Sequence, residues 1–102
     1  MKFETSTSVS SEKIKEIEAK LRKAAIDSKN ENFFGPNEKV ELIVDPKYPS
    51  VDELSQKAAS TAQPMGDPTL CGIAYGIVQK ACSGEPICLA FAAAAYKACL
   101  DS

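Results

Sequence analysis

Polar and apolar residues alternate in two short stretches of the chain, residues 3–9 and 39–45. A period of two predicts a half-buried β-strand in each stretch. The inward positions would be Phe3, Thr5, Thr7 and Val9 in the first strand, and Val40, Leu42 and Val44 in the second. Ile43 interrupts the polar face of the second strand, so we expect both of its faces to be partly covered.

Between these strands, apolar residues recur at helical spacing and predict an amphipathic helix over residues 11–27, with Ser10 as its N-cap. Its apolar positions are Ile14, Ile17, Leu21, Ala24 and Ala25. After the second strand, Ser50 and Glu53 have the spacing of a capping box, which predicts a helix over residues 51–62. Residues 63–68 form a linker, in which Asp67 is the expected N-cap and Pro68 the first helical position of the next element.

The four cysteines follow the pattern Cys71-x10-Cys82-x5-Cys88-x10-Cys99. Eleven residues of helix turn only about 20° past three full turns, so the two cysteines of each helix share one face. Pairing Cys71 with Cys82 is excluded because eleven helical residues span roughly 16 Å, whereas a bridge needs Cα atoms within about 7 Å. The crossed pairing would need parallel helices, which the link 83–87 is too short to allow.

The remaining, nested pairing joins Cys71 to Cys99 and Cys82 to Cys88 in an antiparallel α-helical hairpin. In such a hairpin, the residue numbers of two facing residues always add up to the same total, and both cysteine pairs give a total of 170. The sum also sets Tyr75 opposite Ala95 and Val78 opposite Ala92. Gly72 and Gly76 would let the two backbones approach closely.

Two other uses of the cysteines stay open at this point, a metal site and reduced core thiols. Four thiolates suit zinc or an iron–sulfur cluster, but the two cysteine pairs lie about three helical turns apart and no Cys-x2-Cys is present. Free cysteines pack as small apolar residues. We expect disulfides, with no metal and no cofactor.

The outer face of the predicted hairpin is also apolar and includes Ile73, Ile77, Leu89, Phe91 and Tyr96. Either the helix and strands of the amino-terminal part pack on this face as one α+β core, or the face meets a membrane surface or a protein partner. Each hairpin helix is shorter than the roughly 20 residues that span a bilayer. The expected fold class is α+β, a strand–helix–strand unit and a helix followed by the disulfide-linked hairpin.

Charge divides the chain into a charged region, residues 1–66, and an apolar region, residues 67–102. Twelve basic and fourteen acidic residues are too balanced to predict nucleic-acid binding. Histidine is absent, and neither a phosphate-binding loop nor a nucleophile elbow occurs, so we expect no enzymatic activity. The first residues lack the apolar run of a signal peptide, although disulfides favour an oxidising compartment. Three explanations would reconcile these observations: export by a dedicated route with later cleavage, a hyperthermophile cytosol in which bridges are tolerated, or a sequence that lacks its signal.

With its four cysteines nested in this way, the segment 67–102 resembles the helical hairpins of some bacteriocins, including glycosylated ones. It is also similar to twin-cysteine mitochondrial hairpin proteins, although those have nine rather than ten residues between paired cysteines. The bacteriocin resemblance implies a ribosomally made precursor, in which a charged leader ends near residue 66 and the hairpin acts on membranes. The alternative is a self-contained interaction or structural domain, from a thermophile or its virus, that the bridges stabilise.

Overall fold

The computed structural model describes residues 1–35, 38–60 and 70–101 of the chain. These ranges contain two strands and four helices, so the fold class is α+β. In chain order they are β1 (Lys2–Thr5), α1 (Ser11–Ser28), β2 (Glu41–Val44), α2 (Val51–Ser60), α3 (Leu70–Cys82) and α4 (Pro86–Asp101). The predicted linker, with Asp67 and Pro68 at the start of the following helix, lies outside the described residues.

β1 and β2 pair in parallel and form a two-stranded sheet, with Phe3 opposite Leu42 in the register. Because the strands are parallel, α1 is the crossover helix that connects them. Both strands are shorter than the alternation predicts, and Thr7 and Val9 lie beyond the end of β1. Leu42 and Ile43 are both half-buried. Val44 is 46% exposed, so the prediction that its side chain faces the core is wrong.

The ends of α1 are fixed by capping on both sides. The Oγ of Ser10 accepts a hydrogen bond from the N–H of Lys13 at 3.2 Å, as the sequence predicts. At the other end, Lys29 adopts the left-handed conformation with φ of 57°. The N–H of Lys29 donates to the carbonyl of Ile26, and the N–H of Asn30 donates to the carbonyl of Ala25, each at 3.1 Å. This pair of bonds is a Schellman motif.

α2 begins one residue after Ser50, whose Oγ accepts from the N–H of Glu53 at 3.2 Å. This bond is one of the two in the predicted capping box. The side chain of Val51 is buried, and its N–H donates to Oγ1 of Thr7 at 3.3 Å. The beginning of α2 is therefore tied to the segment that follows β1.

α3 and α4, the C-terminal helix pair, are joined by the turn 83–85. Ser83 and Gly84 both have positive φ, 52° and 81°, a backbone conformation that glycine adopts freely and other residues rarely adopt. Glu85 caps α4, since its carboxylate accepts from the N–H groups of Ile87 at 3.2 Å and Cys88 at 2.7 Å. Pro86 occupies the first position of α4, where its missing N–H leaves no donor unsatisfied.

One hydrophobic core contains buried side chains from both the charged region and the apolar region. α1 packs against α3, and α2 packs against α4. Phe33 and Phe34, in the loop after α1, are 2% and 1% exposed and belong to this core. The change in composition near residue 66 is therefore not a boundary of the core.

Candidate functional site

The structure contains two disulfides, and they join the same cysteines as the nested pairing predicts. Cys71 is bonded to Cys99 with their Cα atoms 5.9 Å apart, and Cys82 to Cys88 with their Cα atoms 5.4 Å apart. The first bridge ties the start of α3 to the end of α4. The second bridge closes the turn between the two helices. No cysteine remains free.

The residues expected to pack between the two helices are mostly buried. Tyr75, Val78, Ala92 and Ala95 are all 3% exposed or less. Gly76 does not have the predicted role, because a Cβ atom placed there would meet no other atom within 4 Å. Gly72 is half-buried. Close approach of the two backbones therefore does not depend on the absence of a side chain at position 76.

The predicted outer face of the helix pair is largely covered by the rest of the chain. Phe91 is 0% exposed, so its side chain does not face solvent in the intact chain. It is covered by Phe3 of β1, whose ring stacks on it with centroids 3.8 Å apart. Ile77, Leu89 and Tyr96 are partly buried and pack against the core, whereas Ile73 remains 47% exposed.

A groove of about 640 Å³ lies between β1, α2 and α4. Its buried members are apolar or aromatic, and include Phe3, Tyr75 and Ala90. Its exposed members include three lysines and two acids, namely Lys2, Lys57, Lys97, Glu4 and Asp101. The volume falls in the range of small-molecule sites.

Three apolar side chains remain exposed at the end of the helix pair that carries the first bridge. Leu70 is 58% exposed, Ile73 47% and Leu100 53%. Leu70 and Leu100 are the sequence neighbours of Cys71 and Cys99, which the first bridge joins. Leu100 also lines the groove, which therefore extends to this apolar end.

Asn30 contacts the first bridge, a relationship that the sequence did not indicate. Its side chain is buried, and its Nδ2 lies 3.6 Å from Sγ of Cys99 and 4.0 Å from Sγ of Cys71. In the sequence, residues 30–36 contain a Gly-Pro pair that breaks the helical pattern, and they carry no other signal. The left-handed position of the Schellman motif is Lys29 rather than a glycine, so the sequence indicated neither the turn nor its contact with cysteines distant in sequence.

The chain's amino group forms an ion pair with Glu38, at 2.8 Å between N of Met1 and Oε1 of Glu38. The same amino group donates to the carbonyl of Lys39 at 2.9 Å. The hydrogen bond from this ammonium group lowers the pKa of Glu38 below its ordinary value, assisted by the positive charge and opposed by burial. These contacts hold the start of β1 beside the segment that leads into β2.

Within residues 1–35, 38–60 and 70–101, no three acidic or cysteine side chains are grouped so that they could hold a metal ion. Over the same residues, every helix is too short or too polar to cross a membrane. Comparison with protein families, curated proteins and solved structures finds no match to this chain. The groove and the exposed apolar end of the helix pair are two described surfaces that offer apolar contact area.

Proposed function

We propose that the chain acts as one self-contained, non-enzymatic interaction domain in which an antiparallel α-helical hairpin is held by two disulfides and covered by the amino-terminal elements. The contact between Phe3 and Phe91 carries this proposal. Phe91 is the largest apolar residue of the predicted outer face. Its burial under β1 supports a fold in which the chain itself covers this part of the face. The packing of α1 on α3 and of α2 on α4 supports the same conclusion.

The binding surface of this domain is the groove between β1, α2 and α4. Buried apolar residues there offer contact area to an apolar segment of a protein partner. The lysines and acids at the exposed positions of the groove would contribute orientation and specificity more than affinity. Leu100, half exposed at the end of α4, extends the apolar contact area toward the first bridge.

Cleavage of the intact chain between α2 and α3 tests whether it acts as one domain. A recognition sequence for a site-specific protease replaces residues 63–66, and the oxidised protein is cut and passed over a sizing column. We expect both pieces to elute together with unchanged helical circular dichroism, because they share one core. The unmodified chain, treated with the same protease, is the control. Separation of the pieces would overturn the single-domain proposal.

The location of the binding surface is tested by photo-cross-linking in the native host. A photoreactive amino acid replaces Lys97 beside the groove or, as a matched control, Lys15 on the exposed face of α1. We expect one partner protein to be cross-linked reproducibly from position 97 and not from position 15. Equal cross-linking from both positions, or from position 15 alone, would contradict binding in the groove.

The precursor of a membrane-active peptide is the second candidate function, and the exposed apolar end of the helix pair favours it. Leu70, Ile73 and Leu100 would be the first residues of a released hairpin to meet a lipid surface. In this case the amino-terminal elements act as a cover, and cleavage should release a piece that makes phosphatidylglycerol-containing vesicles leak. Pieces that stay together and leave the vesicles intact would rule this function out.

A further inference from the structure

The two disulfides differ in how far they are open to solvent. Cys82 and Cys88 are each 1% exposed, and Cys99 is 3% exposed. Cys71 is the only one of the four cysteines that is partly exposed. A thiol in solution can therefore approach the first bridge from the side of Cys71, while the folded chain shields the second bridge from both sides.

The side chain of Asn30 is oriented toward the sulfur atoms of the first bridge. Its Oδ1 accepts a hydrogen bond from the N–H of Asn32 at 3.1 Å. This bond orients the amide so that its Nδ2, not its Oδ1, faces the sulfur atoms. The donor Nδ2 is then left 3.6 Å from Sγ of Cys99, within the longer range of hydrogen bonds to sulfur. An N–H group that points at a sulfur atom stabilises negative charge on that atom.

We propose that the Cys71–Cys99 bridge is a site of thiol–disulfide exchange with a dithiol, an inference that goes beyond the interaction domain proposed above. One thiolate of the dithiol attacks Sγ of Cys71, and a mixed disulfide forms. Cys99 leaves as a thiolate, and Nδ2 of Asn30 donates a hydrogen bond to it. Asn30 is thus a positioning residue that favours the departure of Cys99.

The second thiolate of the dithiol then attacks the dithiol's own sulfur in the mixed disulfide and releases Cys71. Two electrons pass from the dithiol to the bridge, so the dithiol becomes a cyclic disulfide and both cysteines become thiols. The protons of the two dithiol groups end, through water, on Cys71 and Cys99. Reduction also breaks the covalent link that holds the start of α3 against the end of α4.

The order in which the two bridges open is the first test. The oxidised full chain is incubated with dithiothreitol, quenched at intervals with iodoacetamide and mapped by peptide mass spectrometry. We expect alkylation of Cys71 and Cys99 while Cys82 and Cys88 are still joined. Earlier opening of the Cys82–Cys88 bridge, or simultaneous opening of both bridges, would overturn the proposal.

The role of Asn30 is tested by Asn30→Asp, which keeps the acceptor for Asn32 but replaces the donor with a charged oxygen. We expect reduction of the first bridge to slow by roughly tenfold, because a charged acceptor replaces a hydrogen-bond donor beside the leaving thiolate. The second bridge is the internal reference, and Asn32→Asp, at an exposed neighbouring position, is the matched control. An unchanged rate in Asn30→Asp, or faster opening of both bridges, would refute the role of Asn30.

If Asn30→Asp does not fold, the urea dependence of reduction in the unmodified chain tests whether the first bridge is reduced while the chain is folded. Exchange at a site of the folded chain is insensitive to urea well below the unfolding transition. We therefore expect a constant rate for the first bridge over that range. A rate that rises with urea from the lowest concentrations would show that the bridge opens only through unfolding, and would defeat the proposal.

Discussion

The ring of Phe3 stacks on the ring of Phe91, with centroids 3.8 Å apart and planes inclined by 22°. Phe3 belongs to the first strand of the charged region, and Phe91 to the last helix of the apolar region. Both side chains are buried, at 2% and 0% exposure. The pair therefore joins the two compositional parts of the chain in one core, and it is the basis of the first prediction.

Phe91→Ala should lower the free energy of unfolding of the whole chain by about 3–5 kcal/mol, because a buried ring is removed and a cavity is left. Urea unfolding, followed by circular dichroism, measures the loss. Ile73→Ala is the control, since Ile73 is 47% exposed, and we expect it to cost less than about 1 kcal/mol. Similar losses from the two variants would contradict the burial of Phe91.

Removing the first bridge should cost more stability than removing the second. The bridges span 28 and 6 positions of sequence, so the loop-entropy model gives Cys71→Ala with Cys99→Ala a loss about 1 kcal/mol larger than Cys82→Ala with Cys88→Ala. Thermal unfolding of the two double variants makes the comparison. Equal losses would mean that loop entropy does not decide the contribution of either bridge.

Lys29→Gly should stabilise the chain by about 0.5–1 kcal/mol, because Lys29 has a φ of 57° that a side chain disfavours and glycine adopts freely. Lys23→Gly, at an exposed position inside α1, is the matched control and should destabilise by about 1 kcal/mol. Urea unfolding distinguishes the two signs. Destabilisation by both substitutions would argue against a left-handed cap at residue 29.

Glu38→Gln should lower the free energy of unfolding at neutral pH by up to about 1 kcal/mol, the range for a pair with one exposed partner. The pKa of Glu38 is lowered in the folded chain, so its contribution is complete above the ordinary glutamate pKa of about 4.3 and is lost as pH falls through the folded pKa. The difference between variant and parent should therefore vanish in acid.

A pH series of urea unfolding curves measures this difference. Glu41→Gln, which removes an exposed carboxylate of β2, is the control for the loss of one negative charge. A Glu38→Gln difference that persisted unchanged into acid would show that it does not arise from the ion pair with the chain's amino group.

Local signals in the sequence were sufficient for most of the elements. Ser10 and the spacing of Ile17, Leu21 and Ala24 predicted α1 to within one residue, because caps and apolar periodicity act within a few turns of helix. Ser50 likewise predicted where α2 begins. The cysteine spacing predicted the pairing seen in the structure, since helical geometry limits which sulfur atoms can meet.

Other features depended on contacts between residues distant in sequence. Phe33 and Phe34 lie in a segment that reads as a helix break, and only packing shows that they are core residues. Gly76 was predicted to let the two backbones approach closely, yet the space beside it is open. A spacing rule describes a helix as a regular cylinder, whereas the distance between two helices depends on every side chain in their interface.

The sequence by itself determined the α+β class, the N-caps of α1 and α2 and the cysteine pairs, because each follows from interactions among residues near one another along the chain or from the regular geometry of a helix. Only the tertiary structure decided which apolar surface is covered. The apolar residues of the helix pair could equally have met the amino-terminal elements or an external partner. Burial of apolar area is favourable with either and has no directional preference, so the packing of Phe3 on Phe91 could not be read from the pattern alone.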